Sequence, residues 1–395
     1  MPADYALSDR ERVTTILNYI REVEENVLRV SPIGAMAYEE GRIRRNTGGT
    51  GISWRVMYQL HNIQGNDGTT PRTFAPVNQW KEAKLDPNRG CQGTDKIYRQ
   101  ELLSNQGREA LIAQDETVAE RLTMSVQEYI NQLPYKDGNK TGNEKLPHGM
   151  ESFLGTTTAA GASNTIDTSA TAPSLAKRAY NADDIYAAPD DTYAELDTDL
   201  AAFGGVQKTG IWPRGITDEE ADAWSPTMIN YKSNKLGGTA YTWREQSVET
   251  IRRLNLVTGR NKRSAQGPRI IVMDHQMMSE YLDRQDAKER ATIGPMTDRM
   301  RAFGFQGVSQ EGLDIIVDYW CPSDAAYMFS FGQFDIFNRG DKLYDIDSDD
   351  KIEIETQAFR IAIWALFQFR FRDIRCFGAA KDYSTGQPAT GVGSV

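Results

Sequence analysis

The chain has 395 residues, more than one average core accommodates, so we expect two or three domains, or one domain with long extensions. Its formal net charge of -10 argues against tight, sequence-specific binding of nucleic acid, because phosphate contacts supply most of that affinity. Three widely spaced cysteines argue against a disulfide framework, and the lack of a long apolar run argues against a transmembrane helix.

The N-terminal segment is predicted to be an amphipathic helix that forms an arm. Ser8 and Glu11 match the Ser-x-x-Glu pattern of a capping box, and Ser31-Pro32 ends the helix. The apolar residues at helical spacing are Val13, Ile16, Leu17, Ile20, Val23 and Val27. The segment that follows is polar and rich in glycine, so we expect an arm rather than part of a local core. A helix docked on its own chain is the alternative.

A compact basic patch follows the arm in the stretch GRIRRN. It consists of Arg42, Arg44 and Arg45. Two interpretations stay open, a solvated turn and a surface that faces nucleic acid.

The residues after Gly51 alternate as a β-strand does. One face of this strand is apolar and consists of Ile52, Trp54, Val56, Tyr58 and Leu60. A return strand is expected to end near Ile97, with an irregular tip between Gly65 and Gly93. The neighbouring sequence offers little to cover the apolar face, and uncovered faces of this kind promote aggregation. We therefore expect another subunit to cover it.

The clearest helix begins near Arg108 and is stopped by Pro134. Its predicted apolar face comprises Leu111, Val118, Leu122, Val126, Tyr129, Ile130 and Leu133. From Gly155 to about Asp199 the residues are mostly small and polar, which predicts a loop or an insertion without a core of its own.

An α/β pattern follows. Thr242 and Glu245 form a second capping box, before a helix that Gly259 ends. The run Arg269–Met273 predicts a buried strand, and Asp274 caps the next helix. The residues expected to point inward from that helix are Met277, Met278, Tyr281 and Leu282.

The C-terminal part is predicted to be rich in strands. Residues 312–337 predict two or three strands, and residues 351–377 predict a long antiparallel pair. Phe367, Phe369 and Phe371 are expected on one face of that pair, because they alternate.

The sequence shows no recognisable catalytic constellation. It has only three histidines and lacks the Gly-x-Ser-x-Gly, His-Glu-x-x-His, Cys-x-x-Cys and phosphate-loop motifs. Cys321 precedes Pro322 at the end of a predicted strand, which favours a buried structural thiol over a nucleophile. We predict neither a cofactor nor enzymatic activity.

One acidic stretch partly matches a calcium-binding loop. Asp345, Asp347 and Asp349 occupy the first acidic positions, but Asp350 replaces the expected glycine and Thr356 replaces the bidentate glutamate. The pattern therefore favours an acidic hairpin tip, and we predict no metal site.

The order of these parts resembles the major capsid proteins of tailed double-stranded DNA bacteriophages, which share the Hong Kong 97-like capsid fold. The local likeness is best in RIIVMDHQMMSEYL and GLDIIVDYWCPSDAAYMFSFGQFDIF. LPHGMESFLG and DAWSPTMINY resemble positions that flank variable insertions in that family. The resemblance implies an α+β fold with an N-arm, an extended β-hairpin called the E-loop, a peripheral domain with a long spine helix, and an α/β axial domain.

The resemblance also implies a division of the chain into consecutive segments. These are the N-arm at 1–50, the E-loop at 51–104, the peripheral domain with its spine helix at 105–154, the axial domain at 155–340 with a variable insertion near 155–225, and a return to the peripheral domain at 341–395.

The implied function is self-assembly, through hexamers and pentamers, into an icosahedral shell around the phage genome. The chain would be a virion protein that assembles in the cytoplasm of the host bacterium. The implied inter-subunit residues are Trp54, Val56, Tyr58, Leu60, Val13, Ile16 and Ile20. Arg42, Arg44 and Arg45 are weaker candidates for a surface that faces DNA.

The implied partners are further copies of the chain, a portal, decoration proteins, and packaged double-stranded DNA held by non-specific contacts, with no membrane. Some members of the family carry an N-terminal scaffolding segment that is cleaved off. Here the predicted strand pair already begins at Gly51, so a separate scaffolding protein is expected. Some members of the family cross-link an E-loop lysine to an asparagine. Lys81 and Lys84 lie in that region, but no matching asparagine or carboxylate is evident, so we predict no covalent cross-linking.

Two alternatives stay open. An encapsulin-like compartment that holds a cargo enzyme would have the same fold, and the sequence hardly distinguishes it from a phage shell. A soluble α/β enzyme is the third interpretation, against which the few histidines and the missing motifs count.

Overall fold

The computed structural model describes residues 31–57, 80–98, 108–154, 192–198, 224, 226–233, 236–237, 239–259, 269–284, 294–295, 307–310, 312–348 and 358–382. The predicted arm helix with Val13, Ile16 and Ile20 lies outside these residues, as do Tyr58 and Leu60.

The described chain combines helices with runs of consecutive strands, which is consistent with an α+β fold. The helices are α1 (Pro32–Glu39), α2 (Arg108–Gln132), α3 (Trp243–Thr258) and α4 (His275–Arg284). The strands are β1 (Ile43–Arg44), β2 (Ile52–Met57), β3 (Trp80–Leu85), β4 (Gly90–Tyr98), β5 (Thr192–Tyr193), β6 (Leu196–Asp197), β7 (Thr227–Asn230), β8 (Arg269–Met273), β9 (Gly294–Pro295), β10 (Gly307–Gln310), β11 (Leu313–Val317), β12 (Ala325–Ser330), β13 (Phe334–Asn338), β14 (Asp345–Ser348), β15 (Ala358–Phe371) and β16 (Gly378–Lys381).

The chain divides into two compact units, each built from separate stretches of sequence. The first unit contains Met1–Thr50, Asp86–Gly149 and Phe334–Arg370. The second contains Gly51–Leu85, Met150–Gln333 and Phe371–Val395. This division differs from the predicted segments near residue 340, because β13 pairs with β1 in the first unit while β16 is a strand of the second.

In the first unit, α2 packs on a five-stranded sheet. The strand order is β1-β13-β15-β14, and β4 also pairs with β15. The helix approaches β4 at Gly93, where an added Cβ would lie 3.2 Å from Leu122 Cδ1 and 3.4 Å from Val126 Cγ2. Pro134 lies in the short 3-10 turn after the helix. The predicted helix is confirmed, and its described apolar face is buried except at Tyr129, because only one side of α2 faces the sheet. The side chain of Leu111 lies outside the described residues.

Strand β15 supplies much of the core of the first unit. Its buried face consists of Ile361, Ile363, Ala365, Phe367 and Phe369, and Phe371 continues the alternation at the end of the strand. The predicted alignment of the three phenylalanines is confirmed. Residues 358–371 form one strand, which pairs antiparallel with β14 and β4, whereas 351–357 of the predicted pair lie outside the described residues.

The strand predicted after Gly51 is β2, which forms a hairpin with β3. Its antiparallel register runs from Ile52 opposite Leu85 to Met57 opposite Trp80. The segment with Ile97, predicted to be the return strand, is β4 and pairs with β15 instead. That prediction is wrong because the residues of an extended segment do not by themselves specify which strand it pairs with.

The second unit contains a seven-stranded mixed sheet with the order β7-β16-β12-β8-β11-β10-β9. Strands β8 and β11 are parallel, and β12 is antiparallel to β8. Helix α3 contacts β7, β16 and α4, with Leu254 against Gly378. A buried core that includes Trp243, Ile271 and Tyr281 lies between the helices and the sheet.

The predicted helix ends in this unit are largely confirmed. Thr242 is the N-cap of α3 and Gly259 its C-cap. The predicted capping box is wrong, because the Thr242 side chain makes no capping hydrogen bond and the Glu245 carboxylate turns to the loop before the helix. Glu245 accepts hydrogen bonds from the backbone N–H groups of Thr239 at 2.8 Å and Ala240 at 2.7 Å, so it secures the preceding loop. Leu282 is exposed rather than inward, because it lies about 100° around α4 from the buried Tyr281.

Candidate functional site

The second unit itself holds the base of the β2–β3 hairpin. Ile52, Trp54 and Val56 alternate with exposed neighbours and are 6%, 9% and 7% exposed. Ala83 lies opposite Trp54 on the same face and is fully buried. The indole Nε1 of Trp54 donates a hydrogen bond to the backbone carbonyl of Arg372 at 3.1 Å. The burial and the hydrogen bond together fix the hairpin at its base.

Trp54 belongs to a cluster of buried rings, which we call the aromatic cluster: Trp54, Phe153, Tyr193, Trp224 and Phe371. The centroid of the Trp54 ring lies 6.4 Å from those of Tyr193 and Trp224, which stack on each other at 6.2 Å. Phe153 lies 5.3 Å from Tyr193 and 5.0 Å from Phe371. Each such pair stabilises by about 0.5–1.5 kcal/mol beyond the burial of area.

Two hydrogen bonds connect the small β5–β6 hairpin to neighbouring strands, one to the end of β15 and one to β3. The hydroxyl of Tyr193 accepts from the backbone N–H of Phe371 at 2.9 Å, and the carbonyl of Ala194 accepts from the N–H of Lys84 at 2.9 Å. The turn between β5 and β6 has positive φ angles at Ala194 and Glu195. This hairpin therefore fastens β3 and the end of β15 together.

Sequence reasoning missed Tyr193 and Trp224, which lie in the region predicted to be an insertion. Both are buried. The signal that could have found them is a large aromatic residue within a stretch of mostly small and polar residues, since large aromatic side chains are highly buried on average.

The other face of the hairpin is exposed. Its opposed pairs are Ser53 with Lys84, Arg55 with Glu82, and Met57 with Trp80. Met57 is 43% and Trp80 is 49% exposed. This outward face, defined by the six residues just named, combines a charged pair with two large apolar side chains.

The predicted inter-subunit residues need a correction. Trp54 and Val56 are buried in their own chain, so the prediction that a neighbouring subunit covers them is wrong. The physical reason is that Tyr193 and Trp224, far away in sequence, supply the cover that the local sequence lacks.

The basic patch lies in the first unit. Arg44 Nε lies 3.8 Å from Asp335 Oδ1, and Asp335 also pairs with Arg370. Arg45 donates to the carbonyl of Asp341 at 3.2 Å. Arg42 is half-buried, whereas Arg44 and Arg45 are exposed. The two exposed arginines therefore help to hold the segment after β1 and still present charge to solvent.

The described residues bring no group of three potential metal ligands together. Asp274 Oδ1 lies 2.6 Å from His275 Nδ1, but the His275 side chain is 71% exposed and stacks on Tyr319. Cys321 is buried, as predicted, and burial raises the pKa of its thiol well above the ordinary value, so it stays protonated. No helix in the described part of the chain has the length and hydrophobicity to cross a membrane.

Comparisons with known proteins found no matching family model and no matching curated protein. Among solved structures, the chain is similar to the cyanophage A-1(L) capsid asymmetric unit, with 12% identity, a TM-score of 0.48, and coverage of 86% of this chain and 90% of that chain. The corresponding values for the capsid of an empty GTA particle are 10%, 0.49, 88% and 89%. For a virus-like particle from Pyrococcus furiosus they are 9%, 0.38, 93% and 96%. Because each identity is low and each TM-score is below one half, the function proposed below rests on this chain's own residues.

Proposed function

We propose that the chain is the major capsid protein of a tailed double-stranded DNA bacteriophage and assembles into the icosahedral shell around its genome. The observation that carries the proposal is the β2–β3 hairpin, which is locked on one face and exposes Met57 and Trp80 on the other. A two-stranded ribbon is marginally stable alone and leaves backbone groups unpaired along its edges. A ribbon that its own subunit holds in place is suited to bind a second copy.

The outward face has the composition of a binding surface. Tryptophan and methionine are enriched at protein interfaces, and a buried tryptophan often supplies a large part of the binding free energy. The aromatic cluster orders the hairpin before any contact is made, which lowers the entropy lost on association. Weak contacts of this kind become strong in a closed shell, because each subunit makes several of them at once.

Further features support the proposal. The first unit combines a helix of 25 residues with a sheet, and the second combines a mixed sheet with α3 and α4, which are the kinds of parts that a peripheral and an axial domain require. The described residues bring no group of three potential metal ligands together, and the His275 side chain beside Asp274 is largely exposed.

The finer parts of the proposal concern partners and contacts. Tyr58, Leu60 and the arm residues Val13, Ile16 and Ile20 stay proposed contacts between copies in hexamers and pentamers. Arg44 and Arg45 are proposed to face packaged DNA through non-specific contacts with phosphate. A separate scaffolding protein, a portal and decoration proteins complete the proposed set of partners, and assembly is proposed to occur in the host cytoplasm.

The proposal is tested with the full chain by sedimentation and electron microscopy under assembly conditions. We expect capsomers or closed shells. A chain that remains monomeric at high concentration would contradict the proposal. Particles that protect double-stranded DNA from nuclease indicate a phage shell, whereas particles that hold a cargo protein indicate a compartment.

The proposed contact between copies through the outward face of the hairpin is tested with the double variant Met57→Ser, Trp80→Ser. Both side chains are already exposed, so we expect an unfolding free energy within about 0.5 kcal/mol of wild type and a loss of shells. Leu256→Ser, at an exposed position of α3, is the matched control and should assemble normally. Normal shells from the double variant would show that this face is not the contact.

A further inference from the structure

The loop from Lys136 to Gly149, which follows α2, is fastened to the sheet of the first unit around a buried histidine. The backbone N–H of His148 donates to Gln368 Oε1 at 2.8 Å. The amide Nε2 of Gln368 in turn donates to the carbonyl of Asp86 at 3.2 Å. These bonds connect the loop, β15 and the segment that follows β3.

Arg89 closes the loop from its other side. Its Nη1 donates to the carbonyls of Gly138 at 2.9 Å and Leu146 at 3.2 Å. A Cβ added to Gly138 would lie 2.7 Å from His148 Nδ1 and 3.1 Å from Arg89 Nη1. The imidazole therefore packs directly against the loop backbone and lies close to a permanent cation.

This environment favours the neutral imidazole. Burial, and then the Arg89 guanidinium, lower the pKa of His148 from 6.5 to about 3, while Asp86 acts in the opposite direction. Arg89 itself faces the carboxylates of Asp86 and Glu144. A loop that has opened into water would let the histidine titrate near its ordinary pKa. The closed loop thus has its full stability above pH 6.5 and loses it as the pH falls toward 3.

We propose that His148 makes this loop an acid-sensitive latch, which the neutral imidazole keeps closed and protonation opens. The boundary between the two units falls directly after Gly149, so opening the latch frees the chain where it leaves the first unit. The latch is independent of the function proposed above, because it operates within one unit of a single chain.

The size of the effect follows from the linkage of protonation to opening. Between pH 6.5 and about 3, each pH unit of acidification shifts the equilibrium between closed and open loop about tenfold toward the open form. Between pH 7 and 4.5 the open fraction should rise roughly 70-fold.

Hydrogen exchange of the full chain, corrected for the intrinsic effect of pH, tests the proposal. We expect protection of residues 136–149 to fall roughly 70-fold between pH 7 and 4.5 in the wild type. His148→Gln cannot titrate and should show no such fall, whereas His275→Gln, at an exposed position, should behave as the wild type. An equal fall in His148→Gln, or no fall in the wild type, would overturn the latch.

A second measurement keeps the test decisive if His148→Gln does not fold. The titration of the His148 ring in the wild type can be followed by NMR. A ring that stays neutral well below pH 6.5 while the loop is closed supports the latch, and a ring that titrates near 6.5 without any change in the loop overturns it.

Discussion

The two faces of the β2–β3 hairpin share one backbone and have opposite surroundings. On the inner face, Trp54 is covered by Tyr193 and Trp224 and donates a hydrogen bond to the carbonyl of Arg372. On the outward face, Met57 and Trp80 remain about half exposed. The difference shows that a large aromatic residue on a strand can stabilise its own subunit or be available to a partner, and that its position in the alternation decides which.

Replacing Trp54 gives the largest effect that this comparison predicts. We expect Trp54→Ala to lower the unfolding free energy of the second unit by about 3–5 kcal/mol, because it leaves a cavity among buried rings. Urea unfolding followed by circular dichroism measures this value. Trp80→Ala is the matched change on the outward face and should cost less than about 0.5 kcal/mol. Equal losses would show that the two faces do not differ as described.

Tyr193→Phe tests the polar part of the inner face with an intermediate effect. The ring is kept, but the N–H of Phe371 loses the hydroxyl that accepts its hydrogen bond. We expect a loss of about 0.5–1.5 kcal/mol in the same measurement, since a buried hydrogen bond is lost. Tyr319→Phe, at an exposed position, removes a hydroxyl without that consequence and should be neutral. A neutral Tyr193→Phe would mean that the small hairpin does not fasten the cluster.

The smallest predicted effect concerns the charged pair of the outward face. Arg55 lies directly opposite Glu82, and both are exposed. A double-mutant cycle with alanine should give a coupling free energy of about 0.2–1 kcal/mol. The coupling should shrink at high salt, because exposed charges are screened. A coupling that salt leaves unchanged would mean that the pair is not solvated as the structure indicates.

Several elements could be predicted because their signals are local. The apolar stripe of α2 indicates which side of the helix is buried, and the continuous apolar run of β8 indicates a strand that is buried on both faces. The alternation of β2 correctly separates its inner and outward residues, and the cap at Thr242 marks where α3 begins. These patterns depend on backbone geometry within a few residues, so neighbouring side chains are sufficient to reveal them.

The partners of these elements could not be predicted. Strand β3 rather than β4 pairs with β2, and β16 inserts between β7 and β12. Strand pairing joins residues far apart in sequence, and an extended segment fits many registers until side chains from elsewhere select one. For the same reason, the sequence around Trp54 does not reveal that Tyr193 and Trp224 cover it.

Local periodicity in the sequence was sufficient to predict α2, α3, β2 and β8 and their apolar residues, whereas β3 and residues 90–93 of β4 lie in a stretch predicted to be irregular. What covers each apolar face depends on the tertiary fold. For Trp54 the cover is Tyr193 and Trp224, and for His148 the neighbours are Arg89, Gly138 and Gln368. Burial depends on atoms brought together from distant positions, and no local pattern contains them.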